Sequence, residues 1–138
     1  MTGAFNVKKY TGDGNDQSIR IKKNSENDSV TLKAKCVFHI YDDAHFWIVC
    51  DGDYKTVFQR TNDADYLAYP LFKISDGILV IQGKSKTNPV VIDGANRAAS
   101  GSLIRSEGGI TVLQYASLYR GTNSGGGGAI SMTGGSLG

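Results

Sequence analysis

Proline is scarce, with two residues in 138. Helix signals are scarcer. No segment repeats apolar residues at i, i+3, i+4 and i+7, and strong helix formers never run together for long, which points away from helical folds. Nowhere do about 18 apolar residues follow one another, so the sequence offers no membrane-spanning helix. The first residues, Met1-Thr2-Gly3-Ala4-Phe5, lack the basic and apolar regions of a secretory signal. The net charge is only +2, and no Lys/Arg cluster interleaves with aromatics, so nothing selects nucleic acid as a partner. The two cysteines, Cys36 and Cys50, form no CxxC pair and sit in β-like stretches, where they read as buried free thiols. His39 and His45 flank Asp42-Asp43 but read as turn and surface residues, so neither a metal nor a cofactor is expected.

Glycine, by contrast, is abundant at 18 residues, eight of them from Gly121 onward. Glycine without proline, interleaved with β-formers, predicts many tight turns in a folded chain. The turns recur. Ser75-Asp76-Gly77-Ile78-Leu79-Val80-Ile81 returns as Ser106-Glu107-Gly108-Gly109-Ile110-Thr111-Val112-Leu113, and Met132-Thr133-Gly134-Gly135-Ser136-Leu137 is a shortened copy. A short apolar strand precedes each: Leu71–Ile74, Leu103–Arg105 and Ala129–Met132. Phe46-Trp47-Ile48-Val49-Cys50 before Asp51-Gly52-Asp53 reads as an earlier copy. Gly52, Gly77, Gly109 and Gly135 are then spaced by 25 to 32 residues. Further apolar runs, Val90-Val91-Ile92 before Asp93-Gly94 and Ser117-Leu118-Tyr119 before Arg120, give about three strands per repeat. A strand–turn–strand unit at this period is the trace of a solenoid, whose units are stable only when stacked.

The expected fold is all-β: a right-handed parallel β-helix of about three to four coils over residues 46–138, preceded by a small N-terminal β-strand cap or docking segment over residues 1–45. Within that segment, the alternating stretches Phe5–Tyr10 and Ser18–Lys22, around the turn Thr11–Asp16, predict a hairpin or the first strands of a cap. Gly52, Gly77, Gly94, Gly108, Gly109, Gly134 and Gly135 are expected to turn the corners, where positive φ carries no Cβ penalty. Gly134-Gly135-Ser136-Leu137-Gly138 opens a strand without completing a coil. This leads us to expect a piece of a longer protein, or an end covered by a partner subunit.

Residues 46–138 resemble the pectate-lyase-like right-handed β-helix superfamily. The nearest likeness is to its non-catalytic repeats in bacterial surface proteins and adhesins, and to phage fibre or spike repeats. The resemblance rests on Pro89-Val90-Val91-Ile92-Asp93-Gly94, on Gly101-Ser102-Leu103-Ile104 with Gly108-Gly109-Ile110-Thr111-Val112, and on Asn123-Ser124-Gly125-Gly126-Gly127-Gly128-Ala129-Ile130. It implies a non-enzymatic structural or attachment protein, the base of a phage-like fibre, spike or decoration protein on a virion or an extracellular surface. An N-terminal fragment of a cell-surface adhesin is the alternative, and a polysaccharide lyase or hydrolase ranks below both. Implied partners are other copies of the chain, as in trimeric spikes, particle or cell-surface proteins, and glycans.

The residues themselves favour display over catalysis. Asp42-Asp43 is the only adjacent carboxylate pair, and it falls in a turn, while Asp51, Asp53, Asp76 and Asp93 accompany glycine turns. No catalytic residue is assigned. Lys73 and Arg105 occupy equivalent places in successive repeats and are expected to form an outward basic ladder able to hold an acidic glycan. Tyr115 and Tyr119 are candidates for stacking on sugars.

Overall fold

The computed structural model describes residues 5–7, 16–23, 25, 29–99, 101–124 and 127–138. The turn expected at 11–15, most of the polar turn at 24–28, and Gly125 and Gly126 lie outside these residues. The described residues build three sheets of parallel strands. The first sheet stacks β1 (Phe5–Val7), β4 (Phe38–Ile40), β7 (Phe72–Ile74), β10 (Ile104–Ser106) and β13 (Ile130–Met132). The second stacks β2 (Asp16–Ile21), β5 (His45–Cys50), β8 (Ile78–Gly83), β11 (Ile110–Gln114) and β14 (Ser136–Leu137). The third stacks β3 (Val30–Leu32), β6 (Thr56–Arg60), β9 (Val90–Asp93) and β12 (Ala116–Tyr119). Helix is confined to one 3-10 turn among the described residues, Ala64–Tyr66, capped by the Asp63 side chain. Each strand thus pairs with the strand three elements later, a topology consistent with a parallel β-helix.

Of the two arrangements expected for the N-terminal strands, a hairpin or the first strands of a cap, the hairpin is not formed among the described residues. β1 pairs in parallel with β4 and β2 in parallel with β5, in two different sheets. Alternation of apolar and polar residues predicts a half-buried strand but is blind to the direction of its partner.

Side-chain alternation sends one residue in two to the interior, where like stacks on like. Phe38, Phe72, Ile104 and Ile130 form one column, with the rings of Phe38 and Phe72 5.1 Å apart and 5° from parallel. Ile48, Ile81 and Leu113 form a second, and Phe58, Ile92 and Leu118 a third. This is the expected axial stacking of apolar residues, and burying one such side chain contributes about 1.5–3 kcal/mol. Cys50 is buried as expected, whereas Cys36 is only half-buried; both are free thiols.

Two kinds of glycine shape the corners. At the corner between the first and second sheets, Gly77, Gly109 and Gly135 have φ of +90°, +71° and +83°. They stack on one another, so a Cβ on Gly77 would lie 2.1 Å from the Ala44 carbonyl oxygen, and one on Gly109 2.3 Å from that of Gly77. Gly52, Gly94, Gly108 and Gly134 lie outside the left-handed region, so conformational freedom does not explain them. They are needed because the neighbouring rung approaches too closely: a Cβ on Gly94 would lie 2.3 Å from the Arg120 carbonyl oxygen.

The interior also holds a cation. Arg60 ends β6 in register with Leu32, points inward and is 2% exposed. Its Nη1 donates to the Tyr69 carbonyl at 2.9 Å, and its Nη2 to the Gly101 and Ser102 carbonyls, both at 2.9 Å. Burial pulls its pKa down, yet the guanidinium keeps its charge, and three carbonyl dipoles replace the water it lost.

Candidate functional site on the outer face of the first sheet

In β4, β7 and β10 the flanking residues turn inward and the middle one turns out. Those middle residues, His39, Lys73 and Arg105, are in register, with Asn6 of β1 and Ser131 of β13 at the register positions on either side. His39, Lys73 and Arg105 are therefore adjacent rungs at the strand spacing of about 4.8 Å. The outward Lys73–Arg105 ladder expected from the repeat is present in the geometry, with His39 as a third rung.

A second column runs beside the first. Backbone bonds from Ser75 N to Ile40 O, Glu107 N to Ile74 O and Thr133 N to Ser106 O carry the register two residues further. Tyr41, Ser75, Glu107 and Thr133 each follow a member of the first column by two positions. Like charges directly opposite one another on a sheet repel, and Glu107 offsets this. Its Oε2 lies 3.3 Å from Lys73 Nζ and its Oε1 3.0 Å from Arg105 Nε. Ser75 Oγ donates to Glu107 Oε2 at 3.5 Å and lies 2.9 Å from His39 Nε2. The His39 ring packs against Tyr41 with centroids 4.8 Å apart. Burial and then the Lys73 charge lower the His39 pKa, while Glu107 acts the other way. Burial raises that of the nearby Cys36 thiol, while Lys73 and Arg105 draw it down.

Glu107 Oε1 lies at the Nε edge of Arg105, a half-exposed side chain whose planar guanidinium carries two further nitrogens of the kind that meet a planar oxyanion. Lys73 stands one rung away. The face therefore presents three groups that carry or can take positive charge, held by one carboxylate.

The two tyrosines lie elsewhere. Tyr119 is on β12 in the third sheet and is 58% exposed; Tyr115 sits at the turn before that strand and is 43% exposed. The structure thus joins Lys73 to Arg105 and leaves Tyr115 and Tyr119 away from the first sheet, at and just before β12. There the outward residues form a polar ladder. Ser29 Oγ donates to Gln59 Oε1 and Gln59 Nε2 to Asp93 Oδ2, each at 3.3 Å. Arg120 donates to Asp93 from Nε at 2.9 Å and also from Nη2, and its guanidinium lies over the Tyr119 ring at 5.2 Å. Asp93 is 5% exposed, and the Arg120 hydrogen bonds hold its carboxyl below the ordinary range. The seven corner glycines are all at turns or strand ends, as described above. Asp42 and Asp43 both adopt left-handed φ, 61° and 55°, in the turn after β4.

A cleft of about 710 Å³ opens at the corner loops leading back to the first sheet, lined by Leu67, Ala68, Asn96, Ala99, Thr122 and Asn123 among others. Among the described residues, no charged side chain lines it.

Sequence reasoning missed His39, Ser75, Glu107, Arg60 and Arg120. The signal for Glu107 was present, since Lys73-x-Ser75 and Arg105-x-Glu107 repeat the same two-residue offset on one face. Compared with models of known protein families, with curated proteins and with solved structures, the chain matches none.

Proposed function

We propose that the chain is a non-enzymatic structural and attachment protein, the β-helical base of a phage-like fibre, spike or decoration protein that projects from a particle and displays a binding surface. In this reading residues 46–138, with the rungs that β1–β4 add beneath them, form the coils of a right-handed helix, the hand that parallel crossovers adopt in nearly all cases. Residues 1–45 dock to the particle, other copies of the chain assemble alongside, and Lys73 and Arg105 meet an acidic glycan, with Tyr115 and Tyr119 offering stacking surfaces of their own. The observation that carries this reading is the direction of the polar chemistry. Lys73–Glu107, Ser29–Gln59–Asp93–Arg120 and Lys84–Asp53 each tie one rung to another along the stack. Groups joined in this way stiffen a rod and leave their outer edges for display.

The test is the composition of purified particles from the source, read by mass spectrometry and by labelling with antibodies against this chain. Peptides recovered in stoichiometric amount, with label on a projecting feature, are the expected result. Recovery instead in a bacterial cell-surface fraction, in a product with a signal peptide upstream, would replace this reading with the adhesin one.

A further inference from the structure

The column of His39, Lys73 and Arg105 has more to it than two basic residues. Three features converge on it. The members are in strict register on β4, β7 and β10, so their heads share one outward face at a single strand spacing. Among the described residues, Glu107 is the carboxylate paired with both Lys73 and Arg105, and it uses the Nε edge of Arg105. Ser75 connects this carboxylate to the imidazole, with Nε2 at 2.9 Å from its hydroxyl oxygen. His39 is therefore wired into the same cluster, and its protonation adds a third positive charge where the described residues bring only the Glu107 carboxylate.

We propose that His39, Lys73 and Arg105 form a three-rung site for an oxyanion, the carboxylate or sulfate group of an acidic glycan, and that protonation of His39 strengthens its binding. The glycan as occupant rests on the attachment reading above; the oxyanion chemistry does not. The groups that act on His39 are Tyr41 from its own turn, Lys73 on β7 and Ser75 just after it, and Glu107 just after β10; Arg105 on β10 lies beyond Lys73 in the same column, and Cys36 before β4 is coupled to Lys73, Arg105 and Glu107. Lys73 and Arg105 supply the two cations paired with Glu107. His39 supplies a third on the acid side, where three adjacent cations repel one another until an anion joins them. Binding and protonation are thus linked and reciprocal: whatever factor the proton adds to the anion's affinity, the anion adds to the proton's.

That reciprocity gives a test that needs no knowledge of the natural ligand. The His39 imidazole is followed by NMR through a pH titration of the full chain, in sodium sulfate and in sodium chloride at matched ionic strength. Sulfate is expected to raise the His39 midpoint by about one pH unit, a tenfold coupling. In Arg105→Gln the sulfate effect should vanish. In Arg105→Lys, which keeps the charge and loses the fork, it should shrink. A His39 midpoint that moves equally in chloride, or equally in Arg105→Gln, overturns the site. Calorimetry with an oligogalacturonate at pH 5 and pH 8 separates the two readings. Tighter binding at pH 5, abolished by Arg105→Gln, is the expected result. A sulfate shift without oligogalacturonate binding at either pH removes the acidic glycan as occupant and leaves the oxyanion site standing.

Discussion

Arg60 and Ser102 are 42 residues apart, yet the Arg60 Nη2 donates to the Ser102 carbonyl at 2.9 Å inside the protein. The same side chain holds the Tyr69 and Gly101 carbonyls, so one buried cation pins two corner loops that precede β7 and β10. A lysine carries the charge but not the planar fork that reaches three acceptors. We expect Arg60→Lys to lower unfolding free energy by roughly 2–4 kcal/mol, the cost of buried carbonyls left unpaired. Urea denaturation followed by circular dichroism measures this, and an unchanged midpoint would contradict the pinning role.

Asp93 is the corresponding anion on the third sheet. Its carboxylate accepts from Arg120, from Gln59 and from the backbone N–H of Ala95. Its folded-state pKa is depressed, chiefly by Arg120, so the unfolded chain binds the proton more readily. The stability it contributes is present above the ordinary carboxyl value of about 3.9 and is lost as pH falls through the lower folded value. Asp93→Asn should cost about 1.5–3 kcal/mol at pH 7. The loss should narrow below about pH 4, where the wild-type carboxylate takes up its proton. Thermal unfolding across that range is the measurement.

His39 acts in a higher window. Its folded pKa is also lowered, by burial first and Lys73 second, below the ordinary 6.5. The unfolded state therefore binds more protons, and stability present above about pH 6.5 falls as pH drops through the folded value. In chloride buffer, unfolding midpoints of the wild type should decline between pH 8 and pH 5, and His39→Gln should flatten that decline. An equal decline in both proteins would assign the effect elsewhere.

Gly77 tests the corner stack. Its φ of +90° and the Ala44 carbonyl 2.1 Å from a Cβ leave no room for a side chain. Gly77→Ala should destabilise by about 3 kcal/mol or more, since backbone strain and a backbone clash combine. Gly138→Ala is the control: its Cβ would meet only the Val112 Cγ2 at 3.8 Å, an ordinary contact. A calorimetric Tm should separate the two substitutions clearly.

Much of the architecture can be read along the chain because each repeat repeats its reasons. The apolar residues of β7, β8, β10 and β11 recur in step with the glycine corners, and Lys73 and Arg105 stand at the same offset from those corners. The earlier rung is hidden by a small local change. Tyr41 is followed by two left-handed residues, Asp42 and Asp43, and then by Ala44, where the later rungs pass from Ser75 or Glu107 to Gly77 or Gly109 in two steps. One added residue and an alanine in place of the glycine break the pattern, although Ala44 stacks beneath Gly77 and its carbonyl accepts the Ile78 N–H at 2.8 Å. That is why His39 did not align with Lys73 and Arg105 on inspection of the sequence.

The sequence by itself determined the class of structure: short β-strands at a solenoid period, with no helix signal and no metal or nucleotide motif. Local chemistry suffices for this, since alternation, β-branching and glycine placement act within a few residues. The tertiary structure alone decided the partners of each strand and of each charge. Parallel pairing joins residues about 30 positions apart, and hydrogen-bonding potential does not reveal which distant strand will satisfy it. Arg60 finds carbonyls rather than a carboxylate, and Glu107 bridges Lys73 to Arg105 while Ser75 brings in His39. Each of these contacts exists because stacking set two rungs one strand spacing apart, a distance that spacing along the chain does not encode.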